Sequence, residues 1–181
     1  MAEPLILASR SPQRRAILEQ LGVEFRVLPP EAEELAGGDA RRTVVENALR
    51  KARSVSGGRV LGVDTAVVHD GRFFGKPRDR EEAETFLRRL SGRGHEVWSG
   101  VALCEGGSER TTAEVTRVRF RLLEQADIDW YLATGEWRER AGGYAIQGRG
   151  AALVAEIEGD YSNVVGLPIP ALVELAPDLL Q

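Results

Sequence analysis

Five short stretches of the chain hold side chains whose types and spacing suit phosphate chemistry. The first is Ser9-Arg10-Ser11-Pro12-Gln13-Arg14-Arg15, where an apolar run gives way to a helix-start signal. Free backbone N–H groups and the positive end of a helix dipole make such a junction an anion site. Ser9 and Ser11 add hydroxyls. Arginines in a first helical turn oppose the dipole unless something anionic lies nearby. Arg14 shares a helical face with Leu18 and Leu21, which turns it toward the body of the protein. The plain alternative is a solvated, arginine-biased helix start.

The second stretch, VLGVDTAVV, sets Asp64 inside an apolar, β-branched run. A carboxylate drawn out of water there is a general-base candidate, and the alternative is an aspartate that ends a strand. The third, Gly75-Lys76-Pro77, is tied to Asp64 by a hairpin signal at Asp70-Gly71. That register places Thr65 opposite Lys76, and a bulge at Gly75 would bring Lys76 onto the face of Asp64. The fourth, Glu46-Asn47-Ala48 with Lys51, puts Lys51 at the edge of a buried helix face, its ammonium free to reach a cleft. The fifth, AGGYAIQGRGA, lets backbone approach a ligand closely, and the Gln147 amide suits a nucleobase edge. A flexible connection explains that loop equally well.

Composition sharpens the list. Of 24 basic residues, only Lys51 and Lys76 are lysine, and Asn47 and Asn163 are the only asparagines. Genome composition explains such a bias in general. A chain that writes Arg nearly everywhere nevertheless keeps lysine at two points, as a compact point charge on a phosphate requires. Other classes fall away. With 28 acidic residues the net charge is −4, which disfavours bulk attraction to nucleic acid. One cysteine, Cys104, makes neither a disulfide nor a cysteine zinc site and reads as a small core residue. His69 and His95 lack metal-ligand spacing. The start of the chain, with an acid at Glu3 and a short apolar run, does not read as a signal peptide. No apolar run approaches a membrane span. A cytoplasmic protein of one domain, residues 1–181, is expected.

The elements that must position these groups mix periods of two and 3.6. Strands are expected at 4–8, 24–28, 60–69, 72–76, 95–104, 111–121 and 153–157. Helices are expected at 12–21, 41–55, from Asp79 to Gly92, at 123–134, and after Pro168 and Pro170. The stretch from Pro29 to Asp39 reads as a loop. The class is α/β with a mixed sheet.

Taken together, LILASRSPQRRAILEQLG, ENALRKA, LGVDTAVV with DGRFFGKP, LRRLSGRGHEVWSGVAL, AGGYAIQGRGA and YSNVVGLPI resemble the Maf family of nucleoside triphosphate pyrophosphatases. The likeness runs in order from about residue 5 to residue 172. It implies an α/β domain with a central mixed, twisted sheet flanked by helices, with a nucleotide cleft, similar to inosine triphosphatases and often a homodimer. It further implies hydrolysis of a nucleoside triphosphate to monophosphate and pyrophosphate with a divalent cation, Mg²⁺ or Mn²⁺, and no stable nucleic-acid or membrane partner.

By the same resemblance Asp64 is the proton acceptor, Ser9, Arg14, Lys51 and Lys76 bind phosphate, and Glu33 belongs to the metal. Thr65 and Gln147 match the dTTP/UTP subfamily, whereas the 7-methyl-GTP subfamily carries Gln and Glu there. Gln13 departs from that subfamily, which has Arg, and Arg140 stands where Lys is usual. Two other readings compete: a non-catalytic nucleotide-binding regulator of cell division or septum formation, and a phosphomonoesterase, for which no phosphate-accepting nucleophile motif is present.

Overall fold

Local signals in the chain account for most element boundaries in the computed structural model, which describes residues 4–181. The reading at Glu3 lies outside the described residues. Strand β1 (Leu5–Ala8) leads into α1 (Pro12–Gln20). Ser11 caps that helix, its Oγ accepting from the Arg14 N–H at 3.4 Å, and Pro12 fills the first turn. After β2 (Phe25–Leu28), α2 (Ala40–Arg53) starts at Asp39, whose carboxylate accepts from the Arg42 N–H at 2.8 Å. Strands β3 (Arg59–His69) and β4 (Arg72–Phe74) form the expected hairpin. Asp70 and Gly71 both take positive φ, 48° and 70°, as a tight two-residue turn demands.

Helix α3 (Arg80–Leu90) starts at its Asp79 cap, and the long hairpin β5 (Gly94–Glu105) and β6 (Ser108–Phe120) turns at Gly106-Gly107. Helix α4 (Gln125–Ala133) opens with a reciprocal Glu124–Asp127 capping box. The glycine-rich segment holds two 3₁₀ turns, Ala141–Gly143 and Arg149–Leu153, before β7 (Val154–Glu158). A short α5 (Tyr161–Val165) then precedes α6 (Ile169–Leu175), and a 3₁₀ turn at Pro177–Leu180 follows. The α5 helix was not foreseen, since five residues carry too little periodicity to read.

The sheet is mixed, as expected, with order β2-β1-β3-β5-β6-β7 and β4 paired to β3. Strand β1 runs parallel to β2 and β3, whereas β3–β4 and β6–β7 are antiparallel. The β3–β4 register is the expected one, Val67 with Phe74 and His69 with Arg72. The expectation that β4 continues to Lys76 is corrected: the strand ends at Phe74. Gly75 instead gives its carbonyl to the Gly142 N–H at 3.1 Å, which draws the chain toward the glycine-rich segment.

Packing divides the chain into two compact units. The first is Met1–Thr65, Ser99–Glu114 and Gly166–Gln181; the second is Ala66–Trp98 and Val115–Val165. In the first, α2 lies on the strands through small side chains: Ala8, Ala48, Ala52, Val60 and Ala102 are buried together, with Cys104 partly buried against them. Two glycines permit that approach. A Cβ on Gly62 would overlap the Ala48 carbonyl oxygen, and one on Gly100 would overlap that of Val44. Any larger residue at either strand position would push α2 away. The second unit has an aromatic core that includes Phe74, Leu87, Phe120, Tyr131 and Tyr144.

Candidate active site

Within the first unit, the close seating of α2 lays Asn47 and Lys51 over Asp64 on β3. Lys51 Nζ lies 2.7 Å from Asp64 Oδ1 and 2.8 Å from Glu34 Oε1, so one ammonium spans two carboxylates. It also reaches the Val63 carbonyl at 3.4 Å. Asn47 Nδ2 donates to Asp64 Oδ2 at 2.9 Å. Asp64, Lys51 and Asn47 are all buried. The aspartate neither ends a strand nor faces water: it is a buried carboxylate held at both oxygens.

A second cation stands beside this group. Arg14 is buried, while Arg15 is exposed and pairs with Glu19 at 2.8 Å. The face expected for Arg14 is thus the one it takes. Its Nη1 donates to Ser9 Oγ at 3.2 Å, its Nη2 to Thr65 Oγ1 at 3.1 Å and its Nε to the Gly166 carbonyl at 2.9 Å. Burial pulls the Arg14 guanidinium below its ordinary pKa, and the negative charges of Asp64 and Glu34 pull it back up. Three hydroxyls converge there, because Thr65 Oγ1 also lies 2.8 Å from Ser99 Oγ. Ser9 Oγ accepts from the Ser11 N–H at 3.1 Å, and Ser11 Oγ donates to Gln13 Oε1 at 2.9 Å. The first unit therefore holds two polar groups. Ser9, Ser11, Gln13, Arg14, Thr65 and Ser99 are linked by hydrogen bonds, and Lys51, Asn47, Asp64 and Glu34 are linked likewise. The Arg14 guanidinium feels the charge of Asp64 and Glu34.

Glu33, by contrast, is exposed; its carbonyl accepts from Arg50 Nη1 at 3.4 Å. Its neighbour Glu34 is the acid that meets Lys51. Lys76 and Gln147 belong to the second unit. Lys76 is 60% exposed and pairs with Glu139 at 3.3 Å. Gln147 is exposed on a turn pinned at both ends: Tyr131 Oη accepts from the Ala145 N–H at 3.0 Å, and Glu136 accepts from the Arg149 N–H at 2.8 Å. Arg140 is partly buried there.

Four participants escaped the sequence reading: Asn47 as a ligand of Asp64, Glu34, Ser99 and the Gly166 carbonyl. The signal for Asn47 was present, since asparagine is as rare as lysine in this chain, and both asparagines prove buried. Asn163 is structural, donating to the Val97 carbonyl and to Thr116 Oγ1, each at 3.0 Å. Among the described residues, no three His, Cys, Asp or Glu side chains form a group able to hold a metal by themselves.

The protein is of the mixed α/β class, and its first unit buries a carboxylate, an ammonium and a guanidinium. Residues 4–179 match the family described as Maf-like protein, and the chain belongs to that family. It is 52% identical over 179 residues to the dTTP/UTP pyrophosphatase of Symbiobacterium thermophilum, covering 96% of this chain and 92% of that protein. It is 46% identical to the one of Alcanivorax borkumensis, over 94% and 93% of the two chains. Dictyoglomus thermophilum has another at 42%, over 97% and 95%. The solved structure of the Staphylococcus aureus Ham1 protein aligns with a TM-score of 0.47 at 14% identity, covering 65% of this chain and 71% of that one. Among the described residues no helix is long and apolar enough to cross a membrane.

Proposed function

We propose that this chain, working as one domain over residues 1–181, hydrolyses a nucleoside triphosphate to the monophosphate and pyrophosphate, with dTTP, UTP or a modified pyrimidine nucleotide as substrate. The observation that carries this reading is the Asp64 carboxylate, buried and held between Lys51 and Asn47, one residue before the Thr65 that binds Arg14. The relatives named above, all dTTP/UTP pyrophosphatases, supply the substrate class. The cytoplasm is the proposed compartment and a homodimer the proposed assembly.

In this reading Asp64 accepts the proton of the attacking water as general base. Ser9, Arg14 and Lys51 bind phosphate oxygens, the cations matching charge that grows in the transition state. Lys76 adds a further phosphate contact, as the family resemblance assigns it. Thr65, Gln13 and Gln147 set base preference. The arginine of the subfamily motif is absent at Gln13, which removes one cation and loosens strict pyrimidine selection.

The donor set fits a divalent cation of the Mg²⁺ kind, which takes only one or two protein carboxylates and fills its shell with water and phosphate. Asp64 and an acid of the 31–37 loop would hold it: Glu34, which reaches the same ammonium, or Glu33, which the family resemblance assigns. When bound, such an ion neutralises phosphate charge.

Phosphorus NMR of the protein with Mg²⁺ and dTTP, UTP, CTP or GTP in separate tubes tests the proposal. Pyrophosphate with a monophosphate is expected, with dTTP and UTP ahead. Orthophosphate as the product would place the attack on the terminal phosphorus and end this reading. Triphosphate returned unchanged in every tube would favour the binding regulator.

A further inference from the structure

The geometry points to Asn47 as a positioning residue that fixes the plane of the Asp64 carboxylate and ties the acidic 31–37 loop to it; this rests on the reading of Asp64 as general base. The amide of Asn47 is fully used. Its Oδ1 accepts from the Leu35 N–H at 2.7 Å, while Nδ2 donates both to the Leu35 carbonyl and to Asp64 Oδ2, each at 2.9 Å. One acceptor and two donors on a short stem are what an asparagine has and what aspartate or leucine lacks. Because the Leu35 N–H demands the oxygen, the amide has one orientation, and its remaining hydrogen points at Asp64.

Asn47 is also one rung of a ladder along α2. Thr43 Oγ1 donates to the Gly37 carbonyl at 2.8 Å, Arg50 Nη1 to the Glu33 carbonyl at 3.4 Å, and Ser54 Oγ accepts from the Glu31 N–H at 3.2 Å. Residues 43, 47, 50 and 54 follow the helical repeat and pair in turn with 37, 35, 33 and 31. A loop without regular structure is thereby pinned at every second residue, which holds Glu34 at Lys51. Of the four rungs, Asn47 alone also bonds the carboxylate proposed as the base.

With Lys51 on Oδ1 and Asn47 on Oδ2, the carboxylate cannot rotate about its Cβ–Cγ bond without losing a partner. One lone pair of Oδ2 stays free for the water proton. Loss of Asn47 leaves substrate contacts in place and releases the base, so kcat and KM respond differently.

The test compares Asn47→Ala, Asn47→Asp, Thr43→Val and Asp64→Asn, measuring pyrophosphate release from dTTP with Mg²⁺ and the thermal midpoint of each. Asn47→Ala should lower kcat by on the order of tenfold or more, as loss of an orienting hydrogen bond does, with KM changed by less than about twofold. Asn47→Asp is nearly isosteric but sets an oxygen against Asp64 Oδ2, so kcat should fall further; it decides the question where the alanine variant does not fold. Thr43→Val removes one rung from the same loop without touching Asp64 and should lower kcat by much less than either Asn47 variant. Wild-type kcat in the Asn47 variants with an inactive Asp64→Asn overturns the role of Asn47 alone. An equal loss in Thr43→Val assigns the effect to the loop and also overturns it. An active Asp64→Asn removes the general-base reading itself.

Discussion

Lys51 Nζ lies 2.7 Å from Asp64 Oδ1, and the two side chains are only 9% and 8% exposed. Burying such a pair forfeits the hydration of both ions, and a well-packed apolar pair would serve stability as well or better. The chain spends one of its two lysines there, and the same ammonium also serves Glu34. An arrangement this costly supports the roles proposed for Lys51 and Asp64 at a substrate.

Removing either charge alone should therefore hurt twice. Lys51→Met leaves Asp64 buried without its cation and should destabilise the fold by about 3 kcal/mol, while abolishing turnover. Asp64→Asn should abolish turnover but keep nucleotide binding, because the cations proposed to bind phosphate remain. The double variant should recover part of the stability lost in Lys51→Met and none of the activity. Urea unfolding of the four proteins gives the coupling energy, and additive effects would show that the pair does not interact.

The seating of α2 is equally exposed to test. Gly62→Ala and Gly100→Ala each drive a methyl into backbone of that helix. Overpacking of this kind costs about 1–3 kcal/mol. Because α2 carries Asn47 and Lys51, kcat should fall along with stability. Alanine at Gly106, with open space around its Cβ position, is the comparison, although its φ of 56° adds backbone strain. Only the first two should change kcat.

Much of this was readable from the chain because the signals were local. Caps at Ser11 and Asp79, the Asp70-Gly71 turn and the helical face of Arg14 all depend on residues within one or two turns of each other. Lys51 was legible through rarity and spacing. The partners of these groups were not. Nothing local says that Gly166 lends its carbonyl to an arginine at position 14, or that Glu34 rather than Glu33 meets Lys51. Neighbouring acids on an irregular loop have no period to tell them apart, and the α2 ladder that sets the loop's orientation forms only in three dimensions. Extending β4 to Lys76 failed for a related reason, since the Gly142 N–H claims the Gly75 carbonyl from far along the chain.

Base selection should respond to position 13. Gln13 Oε1 accepts from Ser11 Oγ beside the Arg14 network. Gln13→Arg restores the subfamily cation and should raise kcat/KM for dTTP and UTP several-fold, on the order of a charge-assisted hydrogen bond. Gln147→Ala should instead flatten the ranking among dTTP, UTP, CTP and GTP with little change in the fold, because Gln147 is exposed. Parallel kinetics with four nucleotides decide both. An unchanged ranking in Gln147→Ala would remove it from base recognition.

His95 provides a pH test of the second unit that is independent of catalysis. Its Nε2 lies 2.8 Å from Tyr144 Oη, with Phe120 packed edge-on at 5.0 Å. Burial, with a smaller push from His69, holds the imidazole down to about 3 from an ordinary 6.5. The folded chain therefore keeps His95 neutral where the unfolded chain would protonate it. This contribution is fully present above pH 6.5 and is lost progressively as pH falls toward 3. Between 6.5 and 5 the loss should reach about 2 kcal/mol. His95→Gln keeps a hydrogen-bond partner for Tyr144 but has no proton to gain. Urea unfolding at pH 7 and pH 5 should show a steeper loss in the wild-type protein than in the variant, by about that amount. Parallel losses in the two proteins would mean that His95 is not held neutral in the fold.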